Sequence, residues 1–226
     1  MSTRKIVLFL VEGISDQTSL ALIISKIVKT EIVRFHTING DITSYKYTTA
    51  ENSVNKINAQ VKKFLNNNFL KKSDILKIVH LIDTDGAFIS DEYMLEEDIK
   101  GFIYTTEYIK AKNIETIQSR NNKKSSIVNR LSTCTDILCI PYVMYYFSCN
   151  LEHVLHNEIN TNSNNKTELA ESFSDIYYKK EETFIEFINN IQFAVPGDYK
   201  ETWDFIKINN NSLKRYSNFH LFFKSS

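Results

Sequence analysis

The chain has 226 residues, with 27 basic and 27 acidic side chains and a formal net charge of +0 at pH 7. That balance argues against a general electrostatic polyanion binder and leaves room only for a local basic patch. The length and the 42% hydrophobic content fit one domain, or one domain with an appendage, around a substantial core.

Residues 4–11 read as a strand buried on both faces, because Ile6 to Val11 is an apolar run without alternation. The run is too short for a signal segment or a membrane span, and acids follow it directly, so no membrane partner is expected. Glu12-Gly13 ends it. Ser15 or Asp16 can cap a helix in which Leu20, Ile24, Ile27 and Val28 recur at helical spacing. Glu31 to Thr37 reads as a second strand, ended by Asn39-Gly40, and strand–helix–strand implies a right-handed parallel crossover. Thr43 to Thr49 reads as a loop. Glu51 to Leu70 reads as a helix with Val54, Ile57, Val61, Phe64 and Leu65 on one face, and Lys77 to Ile82 as the third strand. Asp91 to Lys100 is expected to form a short acidic helix. Residues 110–135 show no apolar period before Ile127, so 119–126 is expected to be a loop.

Ile137 to Phe147 is a strand-like run, and Pro141 inside it argues for an edge, a bend or a strand start. Cys134, Cys139 and Cys149 are odd in number, lack zinc-motif pairing and follow no secretory signal; they read as reduced thiols of a cytoplasmic protein. Helix is expected over Leu151 to Ile159, in two pieces over Thr167 to Ile191, and over Glu201 to Ile208, with a turn at Pro196-Gly197. The expected fold class is α/β: a mainly parallel central sheet flanked by helices, with a helical C-terminal region. The expected division is a catalytic domain over 1–160 and a helical extension over 161–226 packed on it.

Two of these strands end in acids. Glu12 follows the first, and Asp83-Thr84-Asp85-Gly86 follows the third. Ligands of open parallel sheets bind at that edge. Asp83 and Asp85, two apart, face one side, and Gly86 permits a sharp turn beneath a ligand. Converging carboxylates repel unless a cation separates them, and hard oxygen donors suit Mg²⁺ or Mn²⁺. Asp16 is a candidate for a second ion or for the helix cap. Either motif alone reads as an ordinary turn or helix-start acid; the two together point to a divalent ion. Replacing Asp83 or Asp85 is then expected to relieve repulsion rather than to weaken the fold.

Val11-Glu12-Gly13-x-x-Asp16 and Ile82-Asp83-x-Asp85-Gly86 resemble the Toprim domain of topoisomerases, bacterial primases, recombination-repair proteins and OLD-type nucleases. The resemblance covers about residues 4–105. It implies that Glu12, Asp83 and Asp85 are catalytic metal ligands. No zinc-finger cysteines and no Gly-x-x-x-x-Gly-Lys-Ser/Thr loop accompany them, so the chain is similar to standalone Toprim nucleases of bacterial anti-phage defence. Phe147 to His156 resembles the strand-then-glutamate-helix segment of OLD-type proteins, which implies Glu152 as a further ligand and brings in His153 and His156. The same resemblance asks for a lysine, and Lys214 is its best match. What it implies is a metal-dependent nuclease acting on DNA or RNA as a phage- or plasmid-defence effector, with two Mg²⁺ or Mn²⁺ ions. A separate ATPase subunit and a homo-oligomer stay open.

Arg120, Lys123, Lys124 and Arg130 form an acid-free basic stretch that could hold phosphates, or equally a solvated loop. Tyr45, Tyr47, Tyr145 and Tyr146 could stack on bases, though tyrosines in apolar runs more often pack, as Trp203 is expected to do. A primase-like nucleotidyl transferase and a non-catalytic module binding nucleic acid or a partner are the alternatives.

Overall fold

The computed structural model describes residues 4–38 and 40–224; Asn39, expected to close the second strand, lies outside them. The chain divides into two compact units. One comprises Met1–Ile82, Ile127–Tyr145 and Thr167–Phe184, and the other Asp83–Ser126, Tyr146–Lys166 and Ile185–Ser226. Residues 167–184 fall in the first unit, and 161–166 and 185–226 in the second.

The first unit is built on β1 (Ile6–Val11), whose six residues are all buried. β1 pairs in parallel with β2 (Ile32–Thr37), from Ile6 opposite Ile32 to Val11 opposite Thr37, and on its other edge with β3 (Ile75–Asp83). A strand flanked on both edges and buried on both faces has no use for alternation, which is why its sequence is continuously apolar. The crossover from β1 to β2 is α1 (Ile14–Ile27), and α2 (Ala50–Asn67) follows β2. Thr49 starts α2 reciprocally: its Oγ1 accepts from the Asn52 amide at 3.4 Å while the Asn52 Oδ1 accepts from the Thr49 amide at 2.9 Å. Ile57, Val61, Phe64 and Leu65 are its buried stripe.

The sheet order is β2-β1-β3-β8-β7, with β7 at Asp136–Ile137 and β8 at Ile140–Phe147. β7 and β8 are antiparallel around Leu138 and Cys139, both in the left-handed region at φ 56° and 64°. That is the backbone a two-residue hairpin requires. Pro141 is the second residue of β8, the strand-start position its missing amide favours. The sheet is mostly parallel and flanked by helices, as expected. No helix among the described residues is long and apolar enough to cross a membrane.

The second unit carries a three-stranded sheet of β4 (Met94–Glu96), β5 (Phe102–Tyr104) and β6 (Ile109–Ala111), in the order β4-β6-β5. The acidic helix expected over 91–100 is replaced by one 3-10 turn at 91–93 and by β4. Met94 explains the change: it is buried with Ile89, Ile109 and Ile117, and pairing with Ile109 overrides the local helical preference.

The loop expected over 119–126 is instead the middle of α3 (Ile114–Ser132). Its buried stripe runs Ile117, Asn121, Lys124, Ile127, Val128, Leu131 at helical spacing. Two of its members are polar, so a hydrophobic period was absent from the sequence. α4 (Leu151–His156), α5 (Ser163–Ile176), α6 (Glu181–Ile188), α7 (Tyr199–Ile206) and α8 (Leu221–Lys224) complete the chain.

Candidate active site

The acids of the second unit sit on a turn with almost no freedom. Thr84 is fully buried. Its amide donates to the Phe147 carbonyl at 3.0 Å, its hydroxyl donates to the Ser212 carbonyl at 2.9 Å, and that hydroxyl accepts from the Cys149 amide at 2.9 Å. The Asp85 amide donates to the Cys149 carbonyl at 2.8 Å, with Asp85 at φ 48°. Gly86 follows at φ +67°, and a Cβ there would lie 2.5 Å from Leu213 and 2.8 Å from Ile109. Only glycine fits both the angle and the space.

Each aspartate has a defined partner. Asp83 Oδ1 accepts from the Leu151 amide at 2.8 Å, in the first turn of α4. Asp85 Oδ2 lies 2.5 Å from Lys124 Nζ; the lysine side chain is 0% exposed and the aspartate 24%. Arg120, one turn earlier on α3, donates from Nη2 to the Asp85 carbonyl at 2.7 Å and also bonds the Tyr104 hydroxyl. Its guanidinium lies 4.6 Å from the Phe102 ring centroid. Asn121 Nδ2 donates to the Gly86 carbonyl at 3.2 Å. One face of α3 therefore grips the acidic turn.

This placement corrects the basic-stretch expectation. Lys124 is a buried counter-ion, not a solvated phosphate contact, and Arg120 is turned onto the Asp85 backbone. Lys123 is half-buried and Arg130 exposed, so the four cations do not form one surface. The lysine in ion-pair contact with Asp85 is Lys124. Lys214, expected for that place, is half-buried after a 3-10 turn at 211–213. Tyr146 is 0% exposed, bonds the Thr202 carbonyl and packs edge-on against Trp203, and Tyr145 is buried; neither presents a face to a base. Trp203 is buried in that contact, as expected of a packing anchor.

Glu152 follows Leu151 on α4 and is 2% exposed. Its Oε2 meets Lys166 Nζ at 3.0 Å, while Oε1 has no hydrogen-bond partner among the described residues. Burial, reinforced by Arg215, pushes the His153 imidazole down to about 4. Burial also lowers His156, against the opposing pull of Glu152. Both are neutral near pH 7. Burial, then the charges of Asp85 and Asp83, raises the Cys149 thiol well above its ordinary value, with Arg120 and Lys124 partly offsetting. Cys149 is thus a protonated, inert thiol.

The two remaining sequence candidates belong to the first unit. Glu12 is half-buried at the end of β1, where its carbonyl accepts from the Gly40 amide at 3.3 Å. Asp16 is the third residue of α1, and its Oδ2 accepts from the Gly13 amide at 2.9 Å. Asp16 is engaged at the helix start, one of the two roles open to it.

Among the described residues no group of three or more His, Cys, Asp or Glu is placed to hold a metal ion. The Asp83–Asp85 pair nonetheless fits a hard divalent cation by donor chemistry, since Mg²⁺ is commonly held through one or two carboxylates while keeping several waters. Sequence reasoning missed the inward roles of Arg120, Asn121, Lys124 and Lys166. The spacing 117, 121, 124, 128 could have suggested the α3 residues, whereas Lys166 left no signal. No protein family, curated protein or solved structure compared with the chain matches it.

Proposed function

We propose that this chain is a Toprim-like, Mg²⁺- or Mn²⁺-dependent nuclease that hydrolyses phosphodiester bonds of DNA or RNA. The observation that carries the reading is the Asp83-x-Asp85-Gly86 turn, clamped at the end of a buried strand and gripped by Lys124 and Arg120. Two carboxylates held this rigidly at a strand end form a prepared cation site. A divalent ion bound there would neutralise phosphate charge and lower the pKa of a bound water.

The chain's own residues do the positioning. Asp83 and Asp85 are the ligands. The Leu151 amide holds Asp83 at one oxygen. Lys124 is a positioning residue: it fixes the Asp85 carboxylate and cancels part of the turn's negative charge, so that a phosphate is less strongly repelled. Arg120 holds the Asp85 backbone and brings a second positive charge to the turn. Glu152 enters as a further ligand from the sequence pattern. The defence role and the cytoplasmic setting rest on the resemblance as well.

The test is cleavage of labelled single- and double-stranded DNA and RNA, with Mn²⁺ affinity followed by titration calorimetry. Wild type should cleave at least one substrate with Mg²⁺ or Mn²⁺ and none with EDTA. Asp83→Asn should lose both cleavage and Mn²⁺ binding while staying folded. Unchanged Mn²⁺ affinity in Asp83→Asn would remove the site. Polymer synthesis from nucleoside triphosphates without hydrolysis would favour the primase-like alternative.

A further inference from the structure

The first unit contains a cavity of about 420 Å³ that the acidic turn does not use. Its walls are the segment that follows β2 and the early turns of α2. The carboxyl edge of a parallel sheet is where such proteins place small ligands, and this volume lies in the usual range for them. The lining is mixed in a specific way. Ile38 and Ile42 are buried and give it an apolar floor, and Tyr45 is a 55% exposed ring on its wall.

Besides Tyr45, four polar side chains line the cavity, and one is the Asp41 carboxylate, whose Oδ1 accepts from the Thr43 amide at 2.7 Å and from the Thr43 hydroxyl. Thr48 is 0% exposed, lines the cavity, and its Oγ1 has no hydrogen-bond partner among the described residues. A buried hydroxyl without a partner is rare, and this one belongs to a residue in the cavity wall. Lys56 also lines the cavity and is half-buried on α2. Gln60 is held by His36 Nε2 at 3.2 Å through its Oε1, which leaves its amide nitrogen as a donor. An apolar floor and an aromatic wall call for a flat ring; with Asp41 engaged by Thr43, the Lys56 ammonium and the Thr48 and Gln60 donors call for an oxygen-rich, negatively charged partner.

We propose that this cavity binds a nucleoside monophosphate. The base lies against Tyr45 and the Ile38–Ile42 floor, the phosphate meets Lys56, and the Thr48 hydroxyl bonds the base or sugar. Base–aromatic stacking tolerates any base, so affinity is shared between the ring face and the anion. The site needs no metal and does not depend on the nuclease reading.

Titration calorimetry of the full chain in EDTA, against ribo- and deoxyribonucleoside monophosphates, the matching nucleosides and inorganic phosphate, decides. At least one monophosphate should bind about tenfold more tightly than either its nucleoside or phosphate alone. Lys56→Met should weaken the monophosphate about tenfold and spare the nucleoside. Tyr45→Ala should weaken both, and Thr48→Val should weaken binding without lowering the melting temperature. Asp83→Asn should bind as wild type does, which separates this site from the acidic turn. Absence of monophosphate binding, phosphate binding as tight as any nucleotide, or equal affinity in Lys56→Met and Tyr45→Ala would each overturn the assignment.

Discussion

Lys124 is the residue whose role differs most from its sequence appearance. As part of a run of cations it looks solvated; in the fold its ammonium is 0% exposed and rests on Asp85. A dry cation is tolerable only with its counter-charge in place. This reverses the expectation that removing an aspartate relieves repulsion. Asp85→Ala should lower stability by about 3–5 kcal/mol, because it strands a buried ammonium. Lys124→Met should cost less, since Asp85 is 24% exposed and water can solvate it. The double variant should recover most of the loss. Urea unfolding of the wild type, the two single variants and the double variant forms the cycle that checks this. An Asp85→Ala protein as stable as wild type would show that Lys124 escapes to water.

At the scale of elements, helix starts and helix stripes decide what the charged residues do. Asp16 reaches back to the Gly13 amide and so serves the start of α1. Asp16→Ala should therefore cost about 0.5–2 kcal/mol of stability, the usual worth of such a cap, and leave Mn²⁺ affinity unchanged. Thermal melts and calorimetry on the same variant provide both readings. A weakened Mn²⁺ affinity with unchanged stability would return Asp16 to the ligand set. α3 makes the complementary point. Its inward stripe includes Asn121 and Lys124, so a hydrophobicity-based reading assigned a loop where the acidic turn's clamp lies. β4 was misread for the opposite reason: its acidic sequence favours a helix end, but Met94 is drawn into the cluster with Ile109.

For the molecule as a whole, the buried histidines are expected to make stability fall on the acid side. Burial holds His153 and His220 down to about 4, with Arg215 and Lys224 adding to the effect. Their ordinary value is 6.5, so between these limits the unfolded chain binds protons that the folded chain refuses. Their contribution is fully present above about pH 6.5 and is lost as pH falls toward about 4. His36 and His156 are lowered in the same direction. Urea midpoints should fall from neutrality to about pH 5, and the double variant His153→Gln with His220→Gln should flatten that slope. An unchanged slope in the double variant would place the acid sensitivity elsewhere.

Local pattern was enough to determine β1, β2, β3, α1 and α2 and the α/β class, because each carries a continuous or strictly periodic apolar signal. It also singled out Asp83, Asp85 and Gly86, since acids at the end of a buried strand are conspicuous. Only the tertiary structure decided what those acids touch. The α3 partners of Asp85 are 35 and 39 residues away, and those of the Thr84 hydroxyl are 65 and 128 residues away. The cavity beside Thr48 was equally hidden, because it forms only where the segment after β2 folds against α2. A residue's charge and polarity are local properties that sequence records directly. Whether that charge is solvated, paired or buried depends on which distant residues the fold brings to it.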